Sequence, residues 1–193
     1  MANRLSENIN NKVLLLEAGH KKFNPWLYIP GGYFKTIFDK KINWNYKTQP
    51  EKNLNGREIS WPRGRLLGGS GSLNGMVYIR GQKDDYNDWK LLGNSDWGFE
   101  SVLPYFKKSE QQKTKNIKCD NGFHSSTGLL SITDYPDKHL LCDTFIKASE
   151  ELDVKKNYDF NGKTQEGAGY YQITTNNWFR SDTLAAYLIP AKG

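Results

Sequence analysis

Residues 61–81 read WPRGRLLGGSGSLNGMVYIRG, and the weight they place on glycine decides how the rest of the chain is read. Glycine loses more conformational freedom on folding than any other residue, so several together need a reason. Gly68-Gly69-Ser70-Gly71-Ser72 offers a thinly shielded backbone and two hydroxyl donors. By composition alone a mobile loop is the plain answer. The chemical answer is a backbone that must approach an anion or an electron-rich ring, with its main-chain N–H groups facing the ligand. Asn74 and Gly75 follow where a short helix or turn is expected to begin, its free N–H groups outward.

Upstream, KVLLLEAG contains an apolar run, Val13 to Leu16, closed by an acid and a glycine. Such a run between turn signals suits a strand buried on both faces of a parallel sheet, with a short buried helix as the alternative. The preceding ANRLSE reads as the end of a helix. A parallel strand needs a neighbour joined through a crossover, so a further strand is expected before residue 1. Glu17 then stands at the strand's carboxyl end, where an acid in dinucleotide folds accepts from two ribose hydroxyls. A charge that merely ends a strand is the competing reading, because the chain holds no G-x-G-x-x-G.

Downstream, Asn55-Gly56 between two candidate strands is a hairpin signal. DDYNDWKLLG reads as helical, as does the stretch after Ser95 and Asp96, with Phe99, Val102, Leu103 and Phe106 on one face and either polar residue as cap. HLLCDTFIKASEELD has the pattern of an amphipathic helix, and a last helix is expected near Asp182 to Leu188. The polar, lysine-rich stretch between Gln111 and Gly122 is the natural domain boundary.

Charge excludes some partners. Twenty-seven Lys and Arg against 21 Asp and Glu leave a net charge of +6, but the basic residues are scattered and form no dense arm for nucleic acid. Cys119 and Cys142 have no metal-ligand spacing, and either one disulfide or two free thiols suits them; free thiols fit a reducing cytoplasm. No apolar stretch approaches a membrane span, and the N-terminus lacks the order of a signal peptide, so a cytoplasmic protein is expected. His20, His124 and His139 are each expected in surface or structural duty.

The order of residues in the opening stretch closely resembles the first signature of the glucose–methanol–choline (GMC) oxidoreductases, FAD-dependent alcohol-oxidising enzymes. Gly64-Arg65, Gly68-Gly69-Ser70-Gly71, Leu73-Asn74, Tyr78, Gly81 and Asn87 fill its fixed positions. The resemblance extends over residues 1–193, with SWPRGRLLGGS and YIRGQKDDYNDW similar to the choline-dehydrogenase-like branch. Gly71 in place of the commoner serine, Asp182 in place of a small residue, and FHSSTGLL without its proline are mild departures.

What the resemblance implies is an α/β fold, α+β in its second part. Residues 1–110 would be an incomplete FAD-binding Rossmann-like domain, and residues 111–193 part of a sheet-based substrate domain. It places Glu17 on the ribose and Leu66, Gly68, Gly69, Ser70, Asn74, Gly75, Met76 and Val77 along the flavin and its pyrophosphate. Some members attach FAD through a histidine at the position of Leu73; leucine cannot form that bond, so non-covalent FAD is expected. The implied activity is oxidation of a primary alcohol, choline-like or other, to an aldehyde, with hydride passing to the flavin and then to an electron acceptor. The family's catalytic histidine has no match among the three histidines, so no catalytic residue is assigned here and the 193 residues alone are expected to be inactive. The competing expectation is a non-catalytic nucleotide-binding remnant with a role in regulation or assembly.

Overall fold

A computed structural model describes residues 1–20 and 24–191. Its helices are α1 (Ala2–Leu5), α2 (Tyr33–Thr36), α3 (Lys83–Leu91), α4 (Phe99–Ser109) and α5 (Leu140–Glu150). The strands are β1 (Tyr46–Lys47), β2 (Ser60–Trp61), β3 (Val77–Tyr78), β4 (Glu110–Gln112), β5 (Leu130–Ile132), β6 (Gln172–Ile173), β7 (Thr175–Asn176) and β8 (Phe179–Arg180). Short 3-10 turns link them, and the last helix expected from the sequence is a π-helical turn over Leu184–Leu188. Chain contacts divide the protein into two units. Residues 1–76 join the segment from Thr175 onward, and Val77–Thr174 form the other.

In the first unit β1 and β2 pair antiparallel, Tyr46 opposite Trp61. The connection turns at Asn55 and Gly56, both in the left-handed region at φ 56° and 72°, the conformation that the Asn-Gly pair favours. β7 and β8 form a second hairpin about Asn177, φ 54°. Leu27, Ile42, Leu66 and Leu73 make the core, with Tyr28 packed on it.

Residues 13–16 are not the buried parallel strand that their apolar run predicts. Leu14 and Leu16 are 82% and 83% exposed, and no strand is assigned to the run. The reason is that a ladder requires a second strand in register. Among the described residues the pairing nearest to the run is a single parallel bridge from His20 to Leu66.

The second unit packs α3 and α4 through aromatic side chains. Tyr86 contacts Trp89, Phe99 and Phe106 at ring-centre distances of 5.6, 6.3 and 5.6 Å. Gln82 and Asp85 form a capping box that fixes the start of α3. α4 begins after Gly98 rather than at Ser95 or Asp96, because residues 95–97 wind into their own 3-10 turn. β4 runs parallel to β5, and β3 antiparallel to β6. His139 caps α5, its ring Nδ1 accepting from the Leu141 N–H. Among the described residues no helix is long and apolar enough to cross a membrane.

Candidate functional site

The glycine stretch is a tight, well-anchored turn. Leu66, 3% exposed, ties its start to the core. Gly68 and Gly69 follow at φ 94° and 57°, then a 3-10 turn spans Gly69–Ser72. Gly68 answers the sequence's question locally: its φ disfavours any L side chain, and a Cβ there would strike the Ser72 hydroxyl. The Ser70 hydroxyl accepts from the Gly64 N–H at 3.0 Å and folds the loop back on its own entry.

Glu17 reaches the same region. Its carboxylate accepts from the Gly19 N–H at 2.8 Å, and Gly19 lies so close to Arg65 and Leu66 that a Cβ would overlap their backbone. The structure therefore brings the Glu17 segment against the start of the glycine loop.

Asn74 and Gly75 do not begin a helix. The Asn74 side chain accepts from the Met76 N–H at 3.1 Å, and Met76 turns the chain at φ 64° while its own side chain is buried. Asn favours such local bonds over helix, and the β-branched and aromatic residues that follow favour a strand. Gly75 is exposed, and among the described residues, its chain neighbours apart, no heavy atom lies within 4 Å of where a Cβ would stand. Val77 belongs to the second unit, where it faces Ile173 in the β3–β6 pair.

The loop is held from outside by residues far along the chain to which the sequence reading gave no role. Ser72 donates to Asp182 at 2.5 Å, Thr183 donates to the Gly68 carbonyl at 2.9 Å, and Asp182 also accepts from the Ala185 N–H. Arg180, 4% exposed, gathers carbonyls: Nε donates to Leu27 at 3.1 Å, and Nη1 donates to Gly71 at 3.2 Å and Asn74 at 2.8 Å. The Asn74 Oδ1 accepts from the same Nη1 at 2.8 Å. Burial lowers the Arg180 pKa, an effect the nearby Asp182 charge opposes. Alternation in β8, Phe179 outward and Arg180 inward, is the signal that points to the arginine.

In the second unit three charged groups, Arg80, Glu110 and His124, are buried together beside a partly exposed Asp159. Arg80 pairs with Glu110 at 2.5 Å, and His124 lies between Glu110 on Nδ1 and Asp159 on Nε2, each at 2.9 Å. Burial alone would lower the His124 pKa, but the hydrogen bonds and charges of Asp159 and Glu110 outweigh it and raise it to about 9. The two carboxylates thus favour the protonated form of the buried His124 ring. A cavity of about 500 Å³ opens beside Arg80, lined also by Phe99, Phe123, Phe160 and Lys163. His20 and His139 are exposed.

The sequence profile described as GMC oxidoreductase matches residues 25–193. An alcohol dehydrogenase (acceptor) of Pseudomonas putida is 40% identical over 97% of this chain and 34% of its own length. An oxygen-dependent choline dehydrogenase of Rhizobium meliloti is 38% identical over 99% of this chain and likewise 34% of its own. Among solved structures, pyridoxine 4-oxidase from Mesorbium loti superposes with a TM-score of 0.91 at 30% identity, covering all of this chain and 37% of that one. The mixed helix-and-strand architecture agrees with a partial Rossmann-like domain. The chain spans about a third of the length of the curated relatives it matches.

Proposed function

Because the chain belongs to the GMC oxidoreductase family, we propose that it forms the flavin-holding part of an FAD-dependent enzyme that oxidises a primary alcohol, choline-like or other, to an aldehyde. One observation carries this reading: the loop from Gly68 to Met76 is fixed by Arg180, Asp182 and Thr183, yet leaves the backbone at Gly69 and Gly75 open. A rigid backbone with bare faces suits a flat, electron-rich ligand that also carries a pyrophosphate.

The residues present fit FAD on that ground. The Gly69 N–H is engaged by the Leu66 carbonyl at 2.8 Å, so Gly68 and Ser70 would offer main-chain N–H groups to the pyrophosphate beside the bare Cα of Gly69, and Glu17 would accept from the ribose hydroxyls. Leu66, Asn74, Gly75, Met76 and Val77 would lie along the flavin. Bound FAD supplies the two-electron acceptor for the alcohol's oxidation. Leu73 offers no nucleophile, so the cofactor is held without a covalent bond. The chain's own work is to bind, orient and keep water from one face of the ring. The proton of the alcohol needs a base, and His124, locked between two carboxylates, is not it.

In this reading residues 1–110 carry the cofactor side and 111–193 begin the substrate side, with the segment after Thr174 returning to serve the loop. Two free cysteines, Cys119 and Cys142, support a reducing, cytoplasmic setting. The test is to express the complete reading frame that contains residues 1–193. The expected product is yellow, contains FAD, and reduces an artificial acceptor with primary alcohols, while residues 1–193 alone show no turnover. A complete protein that takes up no FAD supports the non-catalytic remnant instead.

A further inference from the structure

We propose that Arg180 is a positioning residue for the flavin, acting through the Asn74–Gly75 peptide, which it orients and polarises; this rests on the cofactor reading above. The peptide is trans and planar, so its carbonyl and N–H point in opposite directions. Nη1 of Arg180 holds the Asn74 carbonyl at 2.8 Å, which turns the Gly75 N–H away from the guanidinium, at an exposed residue where the described residues leave the Cβ position open. The same nitrogen holds the Asn74 side chain and the Gly71 carbonyl, and Nε holds Leu27. The backbone N–H of Arg180 donates to Tyr28 at 2.8 Å, so the strand bearing the arginine is itself pinned.

The partners' chemistry argues for more than support. Every one of these acceptors is a neutral carbonyl or carboxamide oxygen, and the carboxylate of Asp182 is engaged with Ser72 and Ala185. Nη2 is buried with no hydrogen-bond acceptor among the described residues. As a purely structural plug this is a poor choice, since an apolar side chain would fill the space without desolvating a charge or orphaning a donor. As a polarising device it is apt. A cation on a peptide carbonyl strengthens the N–H at the other end of that peptide, and a low local dielectric preserves the effect. A strengthened, fixed donor favours an acceptor that gains negative charge, so it should favour reduced over oxidised flavin.

The protein from the complete reading frame is compared with R180M and R180K. The readouts are the two-electron potential of the bound flavin and FAD affinity in both redox states. R180M is expected to lower the preference for reduced over oxidised FAD tenfold or more, a potential about 30 mV more negative for a two-electron couple. R180K keeps a charge but lacks the planar fork that reaches Leu27 from Nε and Asn74 from Nη1, and should lose threefold or more. If R180M does not fold, R180K decides alone. Variants that lose stability but keep the wild-type potential overturn the proposal and leave the cofactor reading intact. A wild-type protein that takes up no FAD overturns both.

Discussion

Ser72 donates its hydroxyl to the Asp182 carboxylate at 2.5 Å across 110 positions of sequence. That bond turns a departure from the family pattern into a structural part: where a small residue is usual, an acid clamps the glycine turn and caps the turn that follows through Ala185. Asp182→Ala removes an ionised acceptor from a buried hydroxyl. A loss of about 1–3 kcal/mol is expected from denaturant unfolding. A double-mutant cycle with Ser72→Ala should return a coupling energy well above zero.

Two glycines of the loop should separate stability from binding. Gly68→Ala meets a positive φ and the Ser72 hydroxyl, so unfolding should occur about 1–3 kcal/mol more easily. Gly75 has neither constraint, and Gly75→Ala should leave stability within about 0.5 kcal/mol of wild type. If the ring lies against Gly75, the same methyl should weaken FAD binding at least tenfold in an equilibrium titration.

His124 makes stability depend on alkali. Its pKa is about 9 in the folded chain and 6.5 when unpaired, so the folded state binds the extra proton. The stabilisation is present in full below pH 6.5 and is lost as pH rises through about 9. The span corresponds to about 3 kcal/mol. Unfolding midpoints in that window should slope downward for wild type, and the slope should vanish in His124→Gln. Arg80 and Glu110 remain paired in that variant, though a loss of about 3–5 kcal/mol is expected for breaking the buried network.

Leu73 predicts how the cofactor leaves. It is 3% exposed and packed with Leu27, Ile42 and Leu66. Acid precipitation of the loaded protein should release all flavin to the supernatant, unmodified at its ring. Colour retained in the pellet would contradict the assignment.

The bare run at residues 13–16 predicts self-association. Leu14 and Leu16 project the largest apolar surface of the run, and exposed apolar chain that lacks a ladder partner adheres to its like. Residues 1–193 should sediment as aggregates at micromolar concentration. The double variant Leu14→Lys, Leu16→Lys should shift the distribution toward monomer.

Much of this was legible in the sequence where the signal was local. The Asn55-Gly56 turn, α3, α4 and α5 follow from side-chain spacing and turn chemistry alone, and the fixed positions around Gly68 resemble one family. What was not legible depends on distant partners. The run at Val13 reads as a strand, but its neighbours decide whether it becomes one. Arg180, Asp182 and Thr183 reach the loop from more than 100 residues away. His124 gains its charge from Glu110 and Asp159, which no pattern near the histidine announces.

The return of Arg180 to Asn74 has a consequence for synthesis. The two are 106 positions apart, and at about 5–20 residues per second the arginine is made roughly 5–20 s after the asparagine. Throughout that interval the glycine turn is without its clamp, while Val77–Thr174, uninterrupted in sequence, can assemble first. Within these residues the glycine turn would therefore be fixed only after the Val77–Thr174 unit can form. On the proposed reading, a cofactor offered early would meet a loop that is not yet clamped.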